Sequence, residues 1–251
     1  MKLFAIGDTH LSFAPGIDKP MDMFGPEWEN HWQKLYNNWN EEVGDDDYVI
    51  VCGDLSWGLD LSEAKVDLDW LRDLPGTKIF FKGNHDLWWT SHRALDLLYG
   101  EEIEEDNGNG HMVKRIIKDP LMNFIHNDCF MIGDLAICGT RGWTCPGTEG
   151  FDEHDKKIYL RELGRLRASL EEGRRLGAKE IIGVLHFPPT NDKQQVSGFT
   201  ELMEEFGVKT VVYGHLHGRE KYKRGLKGVL NGVEYKLVSL DYLDARPLRI
   251  R

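Results

Sequence analysis

Short, almost uniformly apolar runs punctuate the chain at 2–6, 48–52, 78–81, 129–132, 135–138, 180–185, 210–213 and 235–239. They are rich in Val, Ile, Phe and Tyr, the composition of β-strands. Most are too short and too continuously apolar for a sheet wetted on one face. They predict strands buried on both faces beneath covering helices. Between them the apolar positions recur every three or four residues, the helical period. Segment 27–43 carries Trp28, Trp32, Leu35 and Trp39 in that spacing. Segment 62–74 carries Ala64, Val66, Leu68 and Leu71, with Ser62 placed to cap its start. The longest and most charged helix is expected over 155–176, with Gly177 as its stop, and a short one over 198–206. Gly133-Asp134 separates two apolar runs by two residues, which signals a hairpin. The tryptophan and leucine stripes read as core packing.

Two segments carry no regular period. Residues 100–120 open with a run of acids, contain Asn107-Gly108-Asn109-Gly110, and read as an exposed excursion. Residues 139–155 are rich in Gly and Pro around Trp143. There is no internal repeat and no linker, so the 251 residues are read as one α/β domain, 1–251.

Composition adds constraints. The chain is 41% hydrophobic and 29% charged, which fits a globular protein. Its net charge of -11 and its few short basic clusters, such as Lys221, Lys223, Arg224 and Lys227, argue against a sequence-independent grip on nucleic acid. The four cysteines, Cys52, Cys129, Cys138 and Cys145, form no C-x-x-C pair and read as free thiols of a reducing compartment. The apolar start of MKLFAIGDTH is too short for a signal peptide, and no run has the length of a membrane span. A cytoplasmic location is expected, with no membrane partner and no obligate protein partner.

The candidate chemistry follows the strands. The first run ends in Gly7-Asp8-Thr9-His10, the second in Gly53-Asp54, the third in Gly83-Asn84-His85-Asp86. Later runs end in His186 and in Gly214-His215-Leu216-His217. In helix-covered sheets, residues just past parallel strands converge on one edge, where ligands bind. Asp oxygens and His nitrogens suit Zn-, Fe- and Mn-like ions, and no cysteine lies among them. Asp8, His10, Asp54, Asn84, His186, His215 and His217 are too many donors for one tetrahedral ion. With one shared carboxylate they are about right for two ions, the usual device for in-line attack at phosphorus.

These blocks resemble the calcineurin-like metallophosphoesterase superfamily, whose pattern runs D-x-H, G-D, G-N-H-[DE], H and G-H-x-H. All five blocks match between about residues 3 and 217. The resemblance implies a four-layer α-β-β-α sandwich of two mixed β-sheets flanked by helices. It implies that Asp8, His10, Asp54 and His217 hold one metal ion and that Asp54, Asn84, His186 and His215 hold the other, with Asp54 bridging. His85 would contact the phosphate and protonate the leaving oxygen, and Asp86 would orient nearby groups. The nucleophile would be a hydroxide on the two divalent ions, Mn and Fe being the first choices and Zn compatible.

The superfamily's protein serine/threonine phosphatases continue the second block as G-D-x-x-D-R-G. Here it reads Gly53-Asp54-Leu55-Ser56-Trp57-Gly58-Leu59. The chain therefore looks closer to small bacterial-type phosphodiesterases, acting on a phosphodiester or phosphomonoester of a small molecule. Two alternatives remain open at this stage: a nuclease of the same superfamily, and a non-catalytic scaffold keeping the fold. Outside the motif, Arg141 is a candidate phosphate ligand and Trp143 a candidate stacking surface for substrate. Trp88-Trp89 read as packing under the site or as a pocket wall. His31, His92, His111, His126 and His154 read as surface or supporting residues.

Overall fold

In the computed structural model, which describes residues 1–109 and 111–251, the apolar runs become strands whose side chains divide alternately between two cores. In chain order the strands are β1 (Leu3–Ile6), β2 (Tyr48–Val51), β3 (Thr77–Phe80), β4 (Glu101–Asp106), β5 (Met112–Ile117), β6 (Met122–Phe124), β7 (Cys129–Ile132), β8 (Leu135–Thr140), β9 (Glu180–Leu185), β10 (Thr210–Tyr213), β11 (Gly228–Leu230), β12 (Val233–Leu237) and β13 (Leu248–Arg249). The helices are α1 (His31–Glu42), α2 (Leu61–Asp73), α3 (His92–Tyr99), α4 (Glu153–Arg175), α5 (Gly198–Glu205) and α6 (Arg219–Arg224).

One sheet runs β13-β1-β2-β3-β6 and the other β11-β12-β10-β9-β8-β7. Strands β1, β2, β3 and β6 pair in parallel, as do β8, β9, β10 and β12, while β13, β11 and β7 pair antiparallel at the edges. Leu3 and Ala5 of β1 point between the sheets, into a core shared with Ile50, Ile79, Ile137, Ile182 and Val212. Phe4 and Ile6 point the other way, onto Leu35 and Trp39 of α1 and Leu68 and Leu71 of α2. The second sheet repeats this, with Ala136, Ile181 and Val211 packed on Leu166 and Leu170 of α4 and Phe199 of α5. The two-residue period of a strand thus supplies both faces of each sheet, and the layers stack α-β-β-α as expected. Among the described residues, no helix is long and apolar enough to cross a membrane.

Several expectations need correction. The helix expected over 27–43 starts at His31. It is preceded by 3-10 turns at Met21–Phe24 and Pro26–Trp28, because Asn30 takes a left-handed conformation (φ 51). Trp32 and Val66 lie partly exposed, at the rims of their stripes, whereas Trp28, Leu35, Trp39, Ala64, Leu68 and Leu71 are buried. Asp60, not Ser62, caps α2: its carboxylate accepts the Ser62 and Glu63 N–H groups, and Ser62 Oγ donates to it at 2.6 Å. Helix α4 begins earlier than expected because Asp152 and Asp155 form a capping box, and Gly177 (φ 85) follows its end.

The excursion over 100–120 is exposed but regular. It holds the hairpin β4–β5, paired from Glu101↔Ile117 to Asp106↔Met112. Its acids left it without an apolar period to read. Gly110, in its Asn-Gly tract, lies outside the described residues. The Gly133-Asp134 hairpin forms as expected, pairing Ile132 with Leu135 around Gly133 (φ 61).

The capping assignment is testable by thermal unfolding. Asp60→Ala is expected to lower Tm by about 2–4 °C, because a lost N-cap is worth that much in a chain of this size. Ser62→Ala should lower it by clearly less; an equal or larger loss in Ser62→Ala would return the cap to Ser62.

Candidate metal centre

Strands β1, β2 and β3 of one sheet and β9 and β10 of the other deliver their C-terminal ends to one place. The sheets are tied there by a parallel bridge between Gly7 and Ser239, with Gly7 N–H donating to the Val238 carbonyl at 2.7 Å. The backbone turns sharply just past the strands. Asp8 (φ 59), His10 (φ 44), Asp54 (φ 51) and His215 (φ 72) all adopt left-handed conformations, each costing about 1–3 kcal/mol for a residue with a side chain. Such strain persists only where surrounding contacts exceed it.

At Asp54 those contacts are visible. Asp86 is fully buried, and its carboxylate accepts the N–H groups of Asp54 (2.9 Å), Leu55 (2.8 Å) and Gly83 (2.7 Å). Burial, with Asp54 alongside, pushes the Asp86 carboxyl up to about 7; even to an uncharged acceptor, three such hydrogen bonds at about 0.5–1.5 kcal/mol each together match the cost of the strained turn. Gly83 has to be glycine: a Cβ there would run into the Asp54 carboxylate and backbone. At Gly214 a Cβ would meet Asp8 Oδ2 at 2.5 Å.

The sequence-selected donors then fall into two groups, Asp8–His10–His217 and Asp54–His186–His215, each with its ligand atoms within 4.8 Å of one another. Asn84 joins the second, its Oδ1 lying 2.8 Å from His186 Nε2 and 2.9 Å from His215 Nδ1. Asp54 Oδ2 faces both groups, 3.3 Å from His186 Nε2 and 3.8 Å from His10 Nε2.

The donor chemistry fits a divalent cation. His186 Nδ1–H donates to the Cys52 carbonyl at 2.8 Å, so in the neutral ring Nε2 carries a lone pair. That nitrogen faces Asn84 Oδ1 and Asp54 Oδ2, which are acceptors too, and lies 3.3 Å from His215 Nδ1. Acceptors converging at this range repel unless a proton or a cation lies among them. Metal–donor bonds of about 2.0–2.2 Å would separate neighbouring donors by about 3.0–3.5 Å. The buried His10 Nδ1 has no hydrogen-bond partner among the described residues. No Lys or Arg pairs with Asp8 or Asp54 among the described residues; their ion-pair partners are histidines.

Burial and neighbouring charges set the donors apart from ordinary side chains. Burial, opposed by His217 and His186, pushes Asp8 up to about 6. Burial drives His10 down to about 3 and His215 well below the usual imidazole range. Burial also works against a charged His186, yet Asp54 and Asp8 beside it raise it to about 9. Asp54, despite burial, is held low, chiefly by His186.

Other features of the centre were missed in the sequence. Asp241, just past β12, accepts the His217 Nδ1–H at 3.0 Å and the Gly218 N–H at 3.1 Å, fixing the ring so that Nε2 faces Asp8 Oδ1 at 3.6 Å. It obeys the same strand-end rule as the histidines but sits in no glycine-marked block. Trp57 stacks on His10 (5.0 Å) and tilts against His85 (4.6 Å), and Trp28 stands edge-on to His10 and His217. With Met21 and Phe24 they wall a cavity of about 280 Å³ over His10, His85 and His217.

His85 is exposed to that cavity, its N–H anchored on Asp54 Oδ1 at 2.7 Å, and burial among its neighbours lowers its ring pKa. Asp86 does not line the cavity. Neither do Arg141 and Trp143. The Arg141 guanidinium lies over the Trp143 ring (4.6 Å), Trp143 Nε1 donates to Asp155, and Trp143 packs on Phe187, which itself stacks on His215 (4.1 Å). Trp88 and Trp89 are buried in the helix-side core. His31 is buried beside Trp28, and His126 accepts the Trp89 Nε1–H.

Residues 1–219 match the family model of the calcineurin-like phosphoesterases. Among curated proteins, the Gene 66 protein of Mycobacterium phage D29 is 38% identical over 80 residues, 32% of this chain and 37% of that protein. An uncharacterized protein of Methanocaldococcus jannaschii is 34% identical over 95 residues, 38% of this chain and 52% of its own length. These matches thus span between about a third and a half of the relatives. Among solved structures, a phosphopantetheinyl hydrolase from Mycobacterium tuberculosis shares the fold, with TM-score 0.53 and 17% identity over 99% of this chain and 95% of that one.

The support that Asp241 gives His217 can be measured. Asp241→Asn is expected to weaken binding of the ion on the Asp8–His10–His217 side by about 10–100-fold, the usual effect of removing a ligand's hydrogen-bonded carboxylate. The Asp54–His186–His215 side should be little changed. Competitive metal titration resolves the two steps, and equal weakening of both would refute a local role for Asp241.

Proposed function

The chain belongs to the calcineurin-like phosphoesterase family of metal-dependent phosphoester hydrolases, and we propose that it cleaves a phosphodiester or phosphomonoester of a small molecule at a centre of two divalent ions. The observation that carries this reading is the position of Asp54 Oδ2, within 3.8 Å of a histidine nitrogen from each donor group. A carboxylate so placed would bridge two ions. Asp8, His10 and His217 would complete one coordination sphere, and Asn84, His186 and His215 the other. When bound, the two ions supply Lewis-acid stabilisation of phosphoryl oxygens and an activated water. Mn and Fe suit the mixed nitrogen and oxygen donors, and Zn is compatible.

The chain's own residues do the rest. His85 stands over the centre on a backbone pinned to Asp54, where its imidazole would contact a phosphoryl oxygen and, in its protonated form, pass that proton to the leaving oxygen. Trp28 and Trp57 wall the cavity and would offer flat apolar faces to the organic part of an ester. Asp86 would act at a distance, by holding the Asp54 turn. The small, tryptophan-walled cavity of about 280 Å³ favours a small ester over a nucleic-acid strand, as does the net charge of -11. The cysteine spacing supports a cytoplasmic setting.

Metal-stripped protein reloaded with Mn is expected to hydrolyse a chromogenic phosphodiester or phosphomonoester. Asp54→Asn should lose turnover and metal together. His85→Ala should keep its metal yet lower kcat by about 10²–10⁴-fold, the range for a lost general acid. Wild-type protein that binds metal but turns over neither ester would favour a scaffold, and protein that binds no metal would end the proposal.

A further inference from the structure

A second cavity, of about 310 Å³, lies beyond the ends of β3 and β8, on the side covered by α4. Its volume is at the lower end of small-molecule sites, about 300–1,000 Å³. Four cations line it: Lys82, Arg141, Arg161 and Arg165. A single carboxylate, that of the fully buried Glu162, faces the three arginines, at 3.7 Å from Arg141, 3.3 Å from Arg161 and 2.8 Å from Arg165. The other Glu162 oxygen accepts the Thr140 hydroxyl at 2.6 Å. Lys82 forms no ion pair among the described residues, and its ammonium has only a long contact, 3.5 Å, to the Trp89 carbonyl. The lining therefore carries an excess of three positive charges in a chain whose net charge is -11.

Arg141 is the informative residue. Its side chain is only 17% exposed and is held flat on Trp143. Its buried Nε has no hydrogen-bond partner among the described residues, and its Nη2 meets Glu162 only at the ion-pair distance of 3.7 Å. A buried donor without an acceptor is costly, and a pre-oriented guanidinium fork matches a phosphate or carboxylate. Burial accordingly lowers the pKa of Arg141 despite Glu162, and that of Lys82 with Arg141 adding to the effect. The cavity also borders the metal centre. The Arg141 carbonyl accepts the N–H groups of His186 (3.0 Å) and Phe187 (2.9 Å), and Lys82 directly precedes Gly83-Asn84.

We propose that this cavity is a binding site for a phosphate-type anion, gripped by Arg141 and Lys82 from below and by Arg161 and Arg165 from α4. Its use in choosing substrates rests on the phosphoesterase reading above: the preferred ester would carry a second phosphate besides the one cleaved. The site itself does not depend on that reading.

Calorimetric titration of inorganic phosphate into the metal-loaded full chain is expected to show two binding events. Asp54→Asn should abolish the one at the metals and leave the other. Arg161→Ala/Arg165→Ala, changed at the cavity's exposed rim, should weaken the remaining event at least tenfold, and Lys82→Met, which keeps the buried stem, should do likewise. Loss of all phosphate binding in Asp54→Asn, or a second event indifferent to both cavity variants, would overturn the proposal without touching the esterase reading. The source of the anion is settled by kcat/KM for chromogenic esters with and without a second phosphate. A wild-type preference that collapses in the cavity variants assigns the site to substrate. Retained phosphate binding without such a preference assigns it to a free anion.

Discussion

The buried carboxylate of Asp86 accepts backbone N–H bonds from Asp54, Leu55 and Gly83, and so fastens the loop after β2 to the loop after β3. The rest of the centre depends on that clamp. Asp54 needs a left-handed turn to aim one carboxylate oxygen between two groups of histidines. The turn is strained, and the three hydrogen bonds to Asp86 together match the strain in size. Gly83 permits the approach because a side chain there would occupy the place of the Asp54 carboxylate. Another strained donor, Asp8, has an anchor of its own: both of its oxygens accept the His215 N–H at 3.0 Å, tying the first strand's loop to that of β10 across the two sheets.

These anchors explain why the donors sit on strand ends rather than on mobile loops. The strands are buried on both faces, so their ends are fixed by the packing of two cores. A centre that must bring acceptors to within about 3 Å of each other needs such rigidity, because acceptors left to themselves separate. The hydrogen bonds from His186 to Cys52 and from His217 to Asp241 then select which ring nitrogen faces inward. The protein thus gathers carboxylate, amide and imidazole groups at a spacing that a proton or a cation between them stabilises.

On either side of this centre the surroundings differ in kind. Trp28, Trp57, Met21 and Phe24 make one approach apolar. Lys82, Arg141, Arg161 and Arg165 make the neighbouring cavity cationic. On the two proposals above, an ester with an organic part and additional negative charge would use both.

Much of this was legible in the sequence for a simple reason. A strand buried on both faces is written as a continuous apolar run, and a turn that strains the backbone is marked by glycine beside a metal-donor residue. Strand positions, helix stripes, the Gly133-Asp134 hairpin and the donors from Asp8 to His217 are local patterns of that sort. Exposed elements leave no such record: the acidic hairpin β4–β5 has no buried face to impose a period, and α3 and α6 are short. Side-chain partnerships across the fold leave none either. Asp241 meets His217, and Trp57 meets His10, only when separate loops are folded together. Arg141 shows the division most clearly. The sequence marked it as a phosphate ligand beside Trp143, but packing of β8 against α4 turned its guanidinium into a separate cavity beside Glu162. Residue type and spacing determine which atoms can bind; which cavity they enter is decided by contacts between segments far apart in the chain, and no local pattern encodes those.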